Sequence, residues 1–386
     1  MRLSPWRLFL LFACPSLIVA SPELVYIGTY TGNPGSVTAS HGIYALRFDP
    51  ADGTLSTPFL AAKAQNPTFL AFDPGRRHLY SIGELLLDPP ASPALGGVSS
   101  FALDAASGQL TLLNQQATGG PATTHLAVDA TGQMVIAANF GGGYVCALPI
   151  HADGSLGPRS AYIADQGRAP LGPNKDRQAQ PHAHSVTLSP DNRFAFVCDL
   201  GLDRVFIYRI DPATATLNPN DPPDAVVPPG SGPRHSKFST DGRFFYLSDE
   251  MGGTVCVYAY DSARGSLALK QTIATIPGDF TGLNAVAEIR VHPNGRFIYA
   301  SNRGHDSIAV FARDPQEGTL SLVQLVPCGG KYPRNFALSP DGAWLLCANR
   351  DTNNVVVFRV DSATGRIAPN GRSASIDKPV CVLFYN

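Results

Sequence analysis

Residues 233–250 read P-R-H-S-K-F-S-T-D-G-R-F-F-Y-L-S-D-E, and this stretch decides the fold. Two short apolar runs are separated by Asp241-Gly242-Arg243, and a D-G turn between apolar runs is the strongest short-range signal for a β-hairpin. Arg234 stands near the outer end of the first run and Glu250 at the outer end of the second. The predicted hairpin therefore brings these two charged residues back together.

The same unit recurs along the chain. Segments aligned on the residue before the turn give six copies at spacings of 47 to 60 residues, the range expected of propeller blades. The aligned anchor residues are Pro74, Ala130, Pro190, Thr240, Pro293 and Pro340. A second turn, typified by D-P-Q-E-G-T-L at residues 314–320, occurs seven times, so the first copy lacks its first strand.

The missing strand is found near the other end of the chain. The segment K-P-V-C-V-L-F at 378–384 matches Y-P-R-N-F-A-L at 332–338, which begins the preceding copy. We predict that this segment joins the N-terminal blade and closes the ring, because closure removes the exposed edges that promote aggregation. The fold class is therefore all-β, a seven-bladed β-propeller forming one domain over residues 21–386. No sustained 3.6-residue pattern supports an α/β enzyme.

Composition and net charge exclude some classes of protein. The 386 residues are 44% hydrophobic and 15% charged, which is typical of a globular protein. A formal net charge of -1 argues against a nucleic-acid binder that relies on a basic surface. Most cysteines stand in apolar strand-like runs without a C-x-x-C pair, so we expect buried free thiols rather than disulfides.

The first twenty residues have the layout of a secretory signal peptide. Arg2 and Arg7 precede an apolar run at 8–20 that ends in small residues before Ser21 and is short for a membrane span. The sequence therefore predicts a signal peptide at 1–20 and an exported protein, periplasmic or extracellular, with no membrane association once the signal is removed.

Two columns of residues are aligned across the copies. The first column lies six positions before each anchor: Thr68, Thr124, His184, Arg234, Ala287 and Arg334. The second column lies ten positions after it: Glu84, Phe140, Leu200, Glu250, Arg303 and Arg350. Because the first strand of a blade lines the central channel, both columns are expected to surround one mouth of that channel.

The charges in these columns predict an anion site. Arg234, Arg303, Arg334 and Arg350 with Glu250 carry a formal charge of +3. Arg334 is expected directly opposite Arg350, and opposed like charges destabilise a sheet unless an anion offsets them. Guanidinium groups suit a carboxylate or a phosphate. The plainer alternatives are an ordinary Arg234–Glu250 salt bridge and a structural His184.

Other chemistry finds little support in the sequence. We find no serine elbow and no P-loop, and His182 with His184 lacks a third metal ligand at a suitable spacing. No cofactor and no metal are predicted. Two long departures from the repeat, at 157–180 and 217–230, are interpreted as lids.

Four separated motifs resemble the lactonase-type seven-bladed propellers, a family that includes the propeller-type 6-phosphogluconolactonase and the fungal carboxy-muconate lactonizing enzyme. They are P-H-A-H-S-V-T-L-S-P-D-N-R-F at 181–194, G-P-R-H at 232–235, D-E at 249–250 and S-N-R at 301–303. The resemblance covers essentially the whole chain after the signal peptide. It implies catalytic roles for His184, Arg234, Glu250 and Arg303. We expect His182, Arg334, Arg350 and Glu84 to bind substrate.

The resemblance implies a lactone hydrolase that acts on a small anionic lactone or organic acid. An exported protein does not meet a phosphosugar made inside the cell, which argues against a phosphorylated substrate. Two alternatives remain open at this point. One is an intramolecular lyase that forms a lactone, like the muconate enzymes, and the other is an exported propeller that binds a ligand or a protein without catalysis.

Overall fold

A computed structural model describes residues 22–32, 40–84 and 95–385, and the predicted signal peptide lies outside the described residues. Within these ranges all regular structure is β, and no helix long and apolar enough to cross a membrane is found. The strands form seven antiparallel sheets. The prediction of an all-β, seven-bladed propeller is confirmed.

Each blade is a meander whose strands follow one another from the channel outward. The first sheet contains β1 (Glu23–Thr29), β2 (Gly42–Asp49), β3 (Thr54–Leu55) and β4 (Phe59–Lys63). The second contains β5 (Gln65–Phe72), β6 (His78–Glu84), β7 (Gly96–Leu103) and β8 (Leu110–Ala117). The third contains β9 (Thr123–Val128), β10 (Met134–Asn139), β11 (Tyr144–Pro149) and β12 (Ala161–Ala164).

The fourth to seventh blades repeat this order. The fourth contains β13 (Ala183–Leu188), β14 (Phe194–Asp199), β15 (Arg204–Asp211) and β16 (Thr216–Val226). The fifth contains β17 (Pro233–Phe238), β18 (Phe244–Asp249), β19 (Thr254–Asp261) and β20 (Ser266–Ala274). The sixth contains β21 (Ala285–Val291), β22 (Phe297–Arg303), β23 (Ser307–Arg313) and β24 (Leu320–Pro327). The seventh contains β25 (Pro333–Leu338), β26 (Trp344–Asn349), β27 (Asn354–Val360) and β28 (Ile367–Ser375).

The ring is closed as predicted. Strand β29 (Pro379–Tyr385) pairs antiparallel with β1, with Val382 opposite Ile27, and thereby supplies the innermost strand of the first blade. The hairpin that decided the fold is also present. Gly242 turns with φ of 68°, in the left-handed region where glycine is favoured, and its amide donates to the Ser239 carbonyl at 2.9 Å.

The hydrophobic core lies between neighbouring blades. In the fifth blade the second strand β18 is fully buried, whereas the outer strand β20 is largely exposed. A repeated tyrosine links one blade to the next, because the hydroxyls of Tyr80, Tyr246 and Tyr299 donate to the carbonyls of Gly154, Gly318 and Gly365, respectively. The six cysteines of the described ranges are free and buried, which confirms the prediction.

The interpretation of 217–230 as a lid is wrong, because most of this segment is strand β16 and pairs with β15. Its prolines are tolerated there because the outermost strand of a blade leaves one row of amides without a neighbour to donate to. The other departure, 157–180, contributes the short strand β12 and then a loop that runs back to the channel mouth.

Candidate active site

A β-bulge aims the key side chains of three blades at the channel mouth. The strand register shifts between Ala183 and Ser185, between Pro233 and His235, and between Pro333 and Asn335. His184, Arg234 and Arg334 are therefore the extra, unpaired residues of their bulges. Bulges redirect side chains and are common beside active sites.

Glu250 is the centre of the charge cluster. Its Oε2 accepts from Arg234 Nε at 3.0 Å and lies 2.8 Å from Arg303 Nη2, while its Oε1 accepts from Arg177 Nη2 at 2.6 Å. Burial alone raises the pKa of Glu250, but the charges of Arg303 and Arg234 outweigh it and hold the pKa well below its usual range. The buried carboxylate therefore stays ionised at neutral pH.

Backbone carbonyls hold two of these arginines in place. Arg234 Nη1 donates to the Ala287 carbonyl at 2.8 Å, and Arg303 Nε and Nη2 donate to the carbonyls of Ala285 and Val286 at 3.1 Å each. Burial and the charges of Arg303 and Arg334 lower the pKa of Arg234 to about 9, which still leaves it protonated at neutral pH. The guanidinium positions are thus preorganised.

His184 is a neutral imidazole beside this cluster. Burial lowers its pKa well below the usual range, and Arg234 and His235 lower it further although Glu250 acts in the opposite direction. Its Nε2 lies 3.9 Å from Glu250 Oε2, and its buried Nδ1 has no hydrogen-bond partner among the described residues. Such a histidine is able to accept a proton.

These residues border a cavity of about 480 Å³ at one mouth of the channel. Residues from all seven blades and from the loop after β12 line it: Tyr30, Asn66, Thr68, Gly83, Ala122, Thr123, Thr124, Phe140, Arg177, His184, Glu250, Arg303, Tyr332 and Arg334. The prediction that both columns meet at one mouth therefore holds for His184, Glu250, Arg303 and Arg334. Arg234 is hydrogen-bonded to Glu250 but does not itself line the cavity.

The expected opposition of Arg334 and Arg350 is wrong. Pro333 pairs with Asn349 and Asn335 with Ala348, so Arg334 falls on the bulge and has no residue opposite it. Arg350 stacks on the Tyr332 ring at 3.7 Å and pairs with Asp351 at 2.7 Å, outside the cavity lining. No repulsion between the two arginines has to be offset.

The Arg334 guanidinium instead packs 5.4 Å from the centre of the Tyr30 ring. Among the described residues no carboxylate lies within ion-pair distance of it, whereas Arg234, Arg303 and Arg177 all share Glu250. Four guanidinium groups and one carboxylate are thus grouped around this cavity, and three of the four guanidinium groups contact that carboxylate. The uncompensated positive charge is concentrated on Arg334.

The two remaining residues expected to bind substrate are His182 and Glu84. His182 stacks on Phe140 with ring centres 4.2 Å apart, and its Nδ1 is 2.8 Å from the Phe140 carbonyl, so it supports a cavity residue without lining the cavity. Glu84 ends β6, but its side chain lies outside the described part of the structure.

Sequence reasoning missed Arg177 and Tyr332. Arg177 comes from the loop after β12, which has no counterpart in the other blades and so carries no repeat signal. Tyr332 precedes β25 with φ of 63°, unusual for a bulky residue, and its hydroxyl is 3.5 Å from Arg303 Nη1. Its position directly before Pro333 in the sequence gave no hint of that contact.

The described residues contain no group of three or more His, Cys, Asp or Glu side chains arranged to hold a metal ion. Asp199, at the end of β14, accepts hydrogen bonds from the backbone amides of His182 and Leu202 and so serves the backbone. The chemistry available at this mouth therefore consists of guanidinium groups, one carboxylate and one neutral imidazole.

Comparisons with known proteins identify the family of this fold. The family model described as "Lactonase, 7-bladed beta-propeller" matches residues 24–384. A 6-phosphogluconolactonase of Bacillus subtilis is 35% identical, over 94% of this chain and 98% of its own length. A 6-phosphogluconolactonase of Formosa agariphila is 30% identical, over 89% of this chain and 94% of its own. The solved structure of the periplasmic gluconolactonase of Pseudomonas aeruginosa superposes with a TM-score of 0.86 at 34% identity, covering 95% of this chain and 99% of that one.

Proposed function

The chain belongs to the lactonase family of seven-bladed β-propellers, and from this premise we propose that it is a lactone hydrolase acting on a sugar-derived lactone. The observation that carries the proposal is the cluster in which Glu250 binds Arg234, Arg303 and Arg177 beside the neutral His184. This cluster borders a cavity of about 480 Å³, a size suited to a small sugar ring.

The reaction requires proton transfer at two points. Water attacks the lactone carbonyl while His184 takes one of its protons, so a tetrahedral oxyanion forms. The ring C–O bond then breaks, and the protonated His184 returns the proton to the leaving alkoxide, which gives the open hydroxy acid. A histidine that is neutral at the start suits this cycle, because it is ready to act as a base.

The guanidinium groups have distinct proposed roles. Arg303 lines the cavity and stabilises the oxyanion as negative charge develops on it. Glu250 stays ionised and therefore acts by holding Arg303 and Arg177 rather than by transferring protons. Arg234, buried behind Glu250, fixes the position of that carboxylate.

Arg334 is proposed to bind a carboxylate or phosphate substituent of the lactone. It lines the cavity and has no carboxylate partner among the described residues, so an anionic group on the substrate meets an uncompensated cation. A lactone that carries such a group is expected to have a lower KM than its neutral counterpart.

We also propose that the protein is exported. The charged and apolar layout of residues 1–20 supports this, and the relative from Pseudomonas aeruginosa is described as periplasmic. Cell fractionation with a C-terminal tag tests it. Recovery in the cytoplasmic fraction with residues 1–20 retained contradicts export.

A substrate panel tests the activity. Glucono-δ-lactone, 6-phosphogluconolactone and glucarolactone are followed by acid release in a pH-stat against the spontaneous rate, and a muconate is included to detect ring closure. We expect hydrolysis of the sugar lactones, with Arg334→Met removing the KM advantage of the anionic ones. Ring closure of the muconate without sugar-lactone hydrolysis assigns the lyase alternative, and no turnover of any compound refutes the enzyme assignment.

A further inference from the structure

The channel has a second cavity at its opposite mouth. Its volume is about 500 Å³, and it shares no lining residue with the cavity around Glu250. Residues of the innermost strands β5, β9, β13, β17, β21 and β29 form its walls, and most of these residues are aliphatic or aromatic. This cavity plays no part in the proposed reaction.

A layer of buried side chains, made of Phe69, His125, His184 and His235, separates the two cavities. Phe69 stacks on His125 with ring centres 3.8 Å apart, and His235 meets His125 and His184 edge to face at 5.1 Å and 5.3 Å. His235 Nδ1 lies 3.2 Å from Glu288 Oε2, to which Asn335 Nδ2 also donates. A ligand in one cavity therefore makes no direct contact with a ligand in the other.

Three cations line the second cavity: Lys237 and Arg290 stand at equivalent positions of neighbouring blades, and Arg76 lies in the turn after β5, beside Asp73. Lys237 stands three residues after Arg234 on β17, and Arg290 stands three residues after Ala287 on β21. The equivalent residues of the other blades that carry this hairpin are small: Ala71, Ala127, Thr187 and Ala337. Among the residues of the innermost strands, the positive charge is thus confined to one sector of a ring of short side chains.

The charge in this sector is not balanced locally. Arg290 Nε lies 3.4 Å from Glu288 Oε1 and donates to the Phe336 carbonyl at 3.2 Å. Lys237 Nζ makes no hydrogen bond or ion pair within the described residues. In this sector two cations and one carboxylate give a net charge of one positive unit, whereas Arg76 lies on the far rim with the carboxylates of Asp73 and Asp129. On the far rim, Asp73 and Asp129 accept hydrogen bonds from amides of their own turns.

Burial and the charge of Arg290 lower the pKa of Lys237 to about 8, although Glu288 acts in the opposite direction. An ammonium group held near other cations in an apolar channel is costly, and a bound anion offsets that cost. Burial of an apolar ligand body against Phe69, Ala71 and Ala127 adds hydrophobic stabilisation.

We propose that this second cavity binds a small organic monoanion with an apolar body, such as a monocarboxylate, with Lys237 and Arg290 holding its carboxylate. The charge of the ligand follows from the single unbalanced cation, and its apolar body follows from the walls. This site is independent of lactone hydrolysis.

Benzoate is the probe, and the labelling of individual lysines is the readout. The chain has six lysines, Lys63, Lys175, Lys237, Lys270, Lys331 and Lys378, so limited acetylation followed by peptide mass spectrometry resolves each of them. We expect benzoate to protect Lys237 in a saturable way, with little effect on the exposed Lys63, and inorganic phosphate at equal concentration to protect it less. Uniform protection, no protection, or a Lys237 that never reacts overturns the proposal.

Calorimetric titration with benzoate provides the second measurement. Lys237→Met is expected to weaken binding by about tenfold or more, Lys237→Arg to retain it, and Lys63→Met to match the wild type. Lactone turnover should be the same in all of these proteins. A wild-type isotherm in Lys237→Met refutes the site, and if that variant does not fold, the protection of Lys237 in the wild type decides the matter.

Discussion

Arg234 and Glu250, at the two ends of one β-hairpin, meet through a hydrogen bond of 3.0 Å between Nε and Oε2. Both side chains are almost fully buried, and Arg303 approaches the same carboxylate oxygen at 2.8 Å. Removing one partner from a buried ion cluster leaves the other charges unpaired, which costs far more than loss of a surface pair.

Glu250→Gln is therefore expected to lower the free energy of unfolding by about 3 kcal/mol, because its arginine partners lose their shared counter-charge. Urea denaturation measures it. The matched control is Glu317→Gln, which breaks the exposed pair with Lys270 and should change stability by less than about 1 kcal/mol. Equal effects of the two substitutions argue against a buried charge cluster.

His184→Ala is expected to reduce kcat for lactone hydrolysis by about a hundredfold or more, since it removes the proposed proton acceptor. His182→Ala is the matched control, because His182 stacks on Phe140 and does not line the cavity. Its kcat should fall by less than about tenfold. Circular dichroism checks that both variants are folded, and turnover of a folded His184→Ala at the wild-type rate rejects the assignment.

Arg177→Ala tests the loop after β12. The Arg177 side chain is 44% exposed and reaches Glu250 Oε1 at 2.6 Å, so its loss should raise KM several-fold and affect stability little. Lys175→Ala, on the exposed part of the same loop, should leave both kinetic constants unchanged. A decrease in kcat with an unchanged KM points instead to a role in the chemical step.

The channel histidines predict a loss of stability in mild acid. Burial lowers the pKa of His125, His184 and His235 well below 6.5, so below pH 6.5 the unfolded chain binds more protons than the folded one. Their contribution to stability is present above pH 6.5 and is lost as the pH falls, by up to about 1.4 kcal/mol per pH unit for each histidine.

The contribution of His125 is obtained by comparing the pH dependence of the unfolding free energy in the wild type and in His125→Gln. Carboxylates that titrate in the same range are present in both proteins, so their effect cancels. Urea unfolding at pH 7, 6 and 5 should show a shallower pH dependence for His125→Gln. The exposed His151→Gln should retain the wild-type slope. Identical slopes in all three proteins contradict the view that His125 is neutral and buried.

The sequence sufficed for the blade count, the ring closure and half of the residues that line the first cavity, because these follow from a repeat. The D-G turn before Phe244 and its equivalents define the hairpins, and columns counted from them include His184, Glu250 and Arg303. A count along strands assumes regular pairing, however. The bulge at Arg334 breaks that assumption, so the predicted contact with Arg350 does not form.

Residues outside the repeat escaped prediction for a related reason. Arg177 reaches Glu250 from a loop found in one blade only, so no aligned copy marks it. The prolines of strand β16 obscure the strand pattern, so the sequence predicts a loop there, although an outer strand accepts prolines. Long-range contacts made by irregular backbone depend on the packed structure rather than on local sequence.

The pairing of β29 with β1 has a consequence for biosynthesis. On the ribosome, β1 to β4 emerge first, yet their blade lacks its innermost strand until residues 379–385 are released at the other end of the chain. The earliest blade to be translated is thus the last to be completed. A transcript cut short just before this segment yields six complete sheets and one that lacks its innermost strand. Quality-control proteases and chaperones are expected to distinguish this open form from the closed ring.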